Sequence, residues 1–160
     1  MTINKRPIDV AYDSNVQRWL SQAEEDLKSA RVLRVAQIYP ASCFLAHQSA
    51  EKALKAILVA YGDLVQSHAL CDLKSSVEAL LTDGRPLPAL VGVSRLDRYY
   101  LGTRCPDALP EGATAQSVFD AQDADEALGT AERVVTALAR WLREDPDRPE
   151  SEGSPGCSSA

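Results

Sequence analysis

The sequence predicts an all-α protein, an up-and-down bundle of four long helices plus a short fifth. Three observations carry this. Apolar residues recur at spacings of three and four along most of the chain, the period of an amphipathic helix. No segment alternates apolar and polar residues as a half-buried strand does. Helix start and stop signals divide the chain into segments of helical length.

Residues 1–12 carry no helix start signal and are expected to be loosely ordered. Asp13 or Ser14 can cap a first helix running to about Ile38, with Val16, Leu20, Ala23, Leu27 and Ala30 on its buried stripe. Glu24, Glu25, Asp26 and Lys28 read as its solvated face. Pro40 cannot continue that helix but suits the first turn of a second, from about Ala41 to Tyr61, with Gly62 as a left-handed cap. Ser67 is a plausible N-cap for a third helix over about 69–81, striped by Leu70, Leu73, Val77, Leu80 and Leu81. A shorter helix follows from about Pro88 to Leu101. Residues 102–119 read as one long loop, a length typical of functional segments. Asp120 caps the last helix, with Asp123 closing a short-side-chain capping box, and Ala124, Leu128, Ala131, Val135, Leu138, Ala139 and Leu142 form its stripe. The bundle is expected over 13–144. The tail EDPDRPESEGSPGCSSA reads as disordered.

Composition bounds the function. At 160 residues the chain fits one domain, and its 45% hydrophobic and 25% charged shares are those of an ordinary globular protein. A net charge of −6 argues against holding long nucleic acids by bulk electrostatics, yet allows a local site for one nucleotide or a short strand. No apolar run reaches membrane-spanning length and the N-terminus lacks a signal-peptide core, so a cytoplasmic location without membrane contact is expected. The cysteines Cys43, Cys71, Cys105 and Cys157 include no CxxC pair, so no zinc site is expected. Cys43 and Cys71 fall in apolar-periodic segments and read as core residues. No cofactor is called for.

The second helix poses the sharpest question. Phe44, Leu45, Ala46, Ala50, Ala53, Leu54, Ala56, Ile57 and Leu58 make it apolar almost all round, yet Gln48, Glu51, Lys52 and Lys55 share one side, with His47 alongside. Such a strip is either the solvated face of an amphipathic helix or the lining of a pocket or a dimer seam. Other candidates are His68 at the start of the third helix, where anions are favoured, and Thr103 and Arg104 in the long loop. Arg104 suits either a phosphate or a loop-fixing pair with Asp97 or Asp107. Tyr99 and Tyr100 are adjacent and point about 100° apart on a helix, one to the core and one free to stack on a base.

The segments AEEDLKSA at 23–30, FLAHQSAEKALKA at 44–56, SHAL at 67–70 and DRYYLGTRCPD at 97–107 together resemble the HEPN domain over about residues 14–143. The resemblance implies a helical bundle, a homodimer, and membership of a family that includes ribonuclease toxins and nucleotide-binding accessory proteins. Many small bacterial members work beside a minimal nucleotidyltransferase in a toxin–antitoxin-like pair. Catalytic members carry an arginine followed four to six residues later by histidine. Here His47 and His68 have Arg34 as their nearest upstream arginine, and no histidine follows Arg95, Arg98 or Arg104. The acidic residue expected after His68 is Ala69, and Cys105 stands where an aromatic ring is common. The sequence therefore points to a non-catalytic module that binds a nucleotide or RNA through Lys52, Lys55, His68, Tyr99, Tyr100, Thr103 and Arg104, with His47, Gln48 and Glu51 on the dimer or pocket strip. The alternative is a metal-independent ribonuclease.

Overall fold

The computed structural model describes residues 12–63, 66–82 and 84–144. Among them are no strands. A π-helical turn, Tyr12–Val16, feeds helix α1, Gln17–Val35. Then come α2, Tyr39–Ala60, and α3, Leu70–Thr82. Short helical pieces lead to α4, Arg98–Gly102, and α5, Ala115–Val118, and the chain ends in α6, Ala121–Glu144. The four long helices form the expected up-and-down bundle. Of the expected loose N-terminus and disordered tail, the described residues include only Tyr12, in the π-helical turn, and Glu144, the last residue of α6.

The second helix is central, and α1, α3 and α6 all pack on it. That packing answers the breadth of its apolar surface: Ala46, Ala50, Ala53, Leu54, Ala56, Ile57 and Leu58 are buried within the chain itself. No partner is needed to cover them. Small residues let α1 approach α2 closely. Ser42 and Ser49 donate hydrogen bonds to the Ala30 and Ala23 carbonyls, both at 2.8 Å, so their buried hydroxyls are satisfied across the seam. These pairs run in opposite order along the two helices, which makes them antiparallel. Arginines tie α1 to α6, Arg31 to Glu132 at 2.6 Å and Arg34 to both oxygens of Asp125 at 2.7 and 2.8 Å.

Helix ends agree with the sequence where the stop signal is local. Gly62 takes φ 70°, and Asp63 N donates to Leu58 O at 2.8 Å, closing a Schellman cap. Asp120 Oδ1 accepts from the Gln122 and Asp123 amides, and Asp123 Oδ2 returns the bond from Asp120 N at 3.1 Å, the expected capping box. The first helix stops three residues early. Gln37 adopts φ 62° and Ile38 N donates to Leu33 O at 2.9 Å, a Schellman cap without glycine.

Two expectations fail for a backbone reason. The single helix expected over 88–101 is three pieces: 3₁₀ turns at Pro88–Leu90 and Val93–Asp97, then α4. Val91 is extended and Gly92 sits at φ 81°, so the helix cannot run through. The long loop over 102–119 holds a 3₁₀ turn, Pro106–Ala108, and α5. Cys71 is exposed, not core, while Cys43 is buried and burial pushes its thiol up to about 12. No described helix is long and apolar enough to cross a membrane.

The strained Gln37 generates a stability prediction. Gln37→Gly should raise the urea midpoint, equivalent to roughly 0.5–1 kcal/mol, because glycine enters the left-handed region without a Cβ penalty. Gln37→Val should lower it. A fall for Gln37→Gly would show that the turn is held by the Gln37 side chain instead.

Candidate functional site

The polar strip of α2 is neither a bare solvated face nor an open pocket wall. It is a buried polar network. His47, Glu51 and Lys55 follow at four-residue intervals on one side, with Gln48 and Lys52 alongside. Glu51 is 3% exposed, so its charge must be met by partners. Its Oε1 receives Lys55 Nζ at 2.8 Å and lies 2.9 Å from His68 Nδ1, and its Oε2 accepts from Gln48 Nε2 at 3.2 Å. Burial works to raise the Glu51 carboxyl, but the bonds from Lys55 and His68 outweigh it and hold it below the usual glutamate value.

The neighbouring helix completes the strip. Lys52 Nζ reaches Asp26 Oδ2 on α1 at 2.6 Å and Gln48 Oε1 at 3.1 Å. Asp26 therefore does not belong to the solvated face expected for it. It is nearly buried, and Gln22 Nε2 donates to its other oxygen at 2.9 Å. Its spacing shows why: Asp26 lies three residues after buried Ala23 and four before buried Ala30, on the stripe that meets α2.

Asp97 joins the third helix to the fourth. Its carboxylate accepts from Leu70 N at 2.7 Å and Cys71 N at 3.2 Å, so the first amides of α3 are capped from 26 and 27 residues away. Ser67, the expected cap, accepts only from Ala69 N at 3.1 Å and turns its proton to Asp72 Oδ2 at 3.0 Å. The cap fixes the segment carrying His68 against α4, and the His68 ring stacks on Tyr100 at 5.6 Å with 12° between planes. His47 is fully buried behind them, 5.2 Å from the Tyr100 ring, with Nε2 3.4 Å from Asp97 Oδ1 and without a hydrogen-bond partner. Burial holds the imidazole below its ordinary value, against the pull of Glu51 and Asp97.

Arg104 finds neither Asp97 nor Asp107. Its guanidinium lies over two rings, 4.6 Å from the centre of Phe44 and 4.5 Å from that of Tyr100, and its Nε donates to Tyr100 O at 2.9 Å. Thr103 turns its hydroxyl to Tyr99 O at 2.6 Å, which closes the end of α4. The two tyrosines diverge as expected. Tyr100 is partly exposed within the cluster, whereas Tyr99 is 3% exposed, packs edge-on against Phe119 and receives Arg98 Nη2 at 2.7 Å. Burial lifts the Tyr99 phenol to about 12. Of the ten candidates, the fold gathers His47, Gln48, Glu51, Lys52, Lys55, His68, Tyr100 and Arg104 into one network. It turns Tyr99 toward α6 and gives the Thr103 hydroxyl to the backbone. Sequence reasoning missed Phe44 and Asp26, and it weighed Asp97 only as a partner for Arg104. Their shared signal is position beside the α1–α2 seam or at a distant helix start.

His47 and Glu51, both buried and both with lowered pKa values, set an acid response. His47 has a lowered pKa in the fold, so the unfolded chain takes its proton first and stability falls as pH drops below the unfolded value of about 6.5. The lowered Glu51 contributes stability that is fully present above its unfolded value of about 4.3 and is lost as pH falls from there through its lower folded value. Urea midpoints should therefore decline from about pH 6.5 and more steeply below about 4.3. His47→Gln should flatten the upper part of that decline, and an unchanged profile would remove His47 from the account.

Comparison with known proteins fits this geometry. A family model of the HEPN domain matches residues 16–141. A protein of Methanocaldococcus jannaschii named "Putative toxin MJ1304" is 28% identical over 132 residues, 79% of this chain and 87% of that one. The crystal structure of TT1696 from Thermus thermophilus superimposes with a TM-score of 0.70 at 32% identity, covering 78% of this chain and 96% of its own. ST0689, titled an archaeal HEPN homologue, gives 0.62 at 33% identity over 79% and 97%. The family match takes in α1, α2, α3, α6 as far as Trp141 and every residue of the polar network, and the chain belongs to the HEPN family.

Proposed function

We propose that this HEPN protein binds a nucleotide or short RNA on the face formed by His68, Tyr100 and Arg104, without cleaving it. The carrying observation is the placement of Arg104. A guanidinium resting on two rings is held in position, and its one described hydrogen bond uses Nε. Among the described residues its two Nη groups meet no acceptor, which suits a phosphate oxyanion. The stacked His68 and Tyr100 rings offer an aromatic surface for a base. Lys52 and Lys55 contribute less than their charge suggests, because Asp26 and Glu51 already neutralise them.

The absence of cleavage follows from proton chemistry. RNA cleavage by acid–base catalysis requires groups that move protons near neutral pH at the scissile phosphate. His47 is fully buried and the Tyr99 phenol is held far above neutrality, which leaves His68 as the one exposed histidine. One observation favours the ribonuclease reading: His68 Nδ1 sits 2.9 Å from the Glu51 carboxylate, the arrangement that orients a histidine for proton transfer. The name of the Methanocaldococcus relative supports a place in a toxin–antitoxin-like pair; a cytoplasmic location and a minimal nucleotidyltransferase as partner are further parts of the proposed function, taken from the family resemblance. A homodimer is the expected assembly, supported by the exposed Leu101 and Val118, which are the chain neighbours of the contacting Gly102 and Phe119.

Titration with labelled RNA oligomers and with AMP should give saturable binding that Arg104→Ala weakens by about tenfold or more, the loss of one charge-assisted contact. The RNA should be recovered intact. Cleavage abolished by His68→Ala would establish the ribonuclease reading instead, and no saturable binding would reject the site. Sedimentation at micromolar concentration should give a species about twice the 17.3 kDa chain, and co-expression with the nucleotidyltransferase of a neighbouring reading frame should shift it to a larger complex. A single 17.3 kDa species would remove the dimer.

A further inference from the structure

We infer that the cavity between the Val93–Asp97 turn and α6 is a second binding site. It takes the phosphate of a small phosphorylated organic molecule on Arg95 and Arg133, and the organic body on an apolar base. Its α4 wall is Arg98 and Tyr99, whereas the adjacent Tyr100 faces His68 and Arg104. The site is therefore distinct from the His68 face and stands without the nucleotide reading of that face.

The cavity has a volume of about 500 Å³, within the range of small-molecule sites. Leu96, Tyr99 and Ala127, each at most 3% exposed, are the apolar residues at its base. The rest is cationic: Arg95 comes from the 3₁₀ turn, Arg98 from α4 and Arg133 from α6. Among the described lining residues Glu126 is the one carboxylate, and it accepts from Gln122 Nε2 at 2.8 Å. Three arginines against one carboxylate reverse, locally, the sign of a chain whose net charge is −6.

The three guanidiniums differ in what they offer. Arg98 is committed to the Asp123 carboxylate and the Tyr99 hydroxyl. Arg133 is held by a neutral acceptor: its Nη2 donates to Val91 O at 2.8 Å, which positions the group and leaves its charge uncancelled. The Arg95 side chain meets no acceptor among the described residues. Arg95 and Arg133 thus bring uncancelled charge from two different elements. A tetrahedral phosphate dianion can accept from two guanidinium forks at once, where a carboxylate is matched by one. The apolar base adds contact that a bare inorganic anion cannot use.

Gly129 supplies a separate argument. It lies inside α6, where glycine is a poorer helix former than alanine. A Cβ added there would meet nothing within 4 Å, so packing within the fold does not call for glycine at this position. Gly129 lines the cavity, and a side chain on it would take up the space a ligand needs.

Isothermal titration tests the site on the full chain carrying Arg104→Ala, which removes the proposed contact on the His68 face. The probes are phenyl phosphate, inorganic phosphate and phenol. Phenyl phosphate should saturate at one per chain below about 10 mM, at least about tenfold more tightly than inorganic phosphate, and phenol should not bind. Arg95→Ala, at an exposed and unpartnered side chain, should weaken phenyl phosphate about tenfold. Gly129→Leu should block it with every charge kept and with the thermal midpoint unchanged or raised, a readout that stands even where Arg133→Ala loosens Val91. Glucose 6-phosphate and AMP, titrated in turn, distinguish a sugar phosphate from a nucleotide as the source of the ester, and tighter binding of either supports the site. Equal affinity for inorganic phosphate and phenyl phosphate, or binding that neither Arg95→Ala nor Gly129→Leu changes, would overturn it. Saturable binding to the wild type that Arg104→Ala alone abolishes would place the ligand on the His68 face, and would sink this inference while leaving that reading intact.

Discussion

The carboxylate of Glu51 is the point on which the polar half of this bundle turns. It lies on the central helix, almost out of reach of water, and an unpaired charge there would cost several kcal/mol. The cost is met from two directions. Lys55 supplies a charge from one turn along the same helix, and His68 supplies a ring nitrogen from the start of α3. Through His68 the carboxylate governs Tyr100, and through Tyr100 it governs Arg104. One buried acid thus sets the geometry of three residues on the exposed face.

Asp97 performs the complementary task on the backbone. A helix start leaves amides without partners, and Asp97 satisfies two of them from the far side of the chain. The bond locks α3 to the segment that carries α4, so the relative placement of His68 and Tyr100 does not depend on the intervening turn. His47 stands behind this joint with a ring nitrogen facing the Asp97 carboxylate at 3.4 Å. A charged imidazole there would be drawn to Asp97 but penalised by burial, and burial is the larger effect.

Neutralisation inside the network shapes what it can bind. The positive side chains that a sequence reader assigns to a phosphate are mostly occupied: Lys52 by Asp26, Lys55 by Glu51. Arg104 differs because rings, not carboxylates, hold it. Cation–π contact fixes the guanidinium without cancelling its charge, so among the described residues of this face Arg104 remains a localised cation. Recognition then leans on planar groups more than on net charge.

Much of the fold was legible in local pattern. The stripe Val16, Leu20, Ala23, Leu27 and Ala30, the Gly62 cap and the Asp120–Asp123 box all follow from interactions within a few residues, and the structure keeps each. The site was legible as far as helical spacing reaches: Glu51, Lys52 and Lys55 had to share a side. What spacing could not supply was the partner of each group. The pairing of Lys52 with Asp26, the capping of α3 by Asp97 and the resting of Arg104 on Phe44 join residues 26, 27 and 60 positions apart. The break at Gly92 was equally hidden, because a glycine within an apolar run is compatible with a continuing helix until packing selects the left-handed turn. The sequence by itself determined the helices and which residues could meet on one of their faces. Only the tertiary structure decided which charges were neutralised and which remained free, because that depends on what a neighbouring helix brings within about 3 Å of a buried carboxylate.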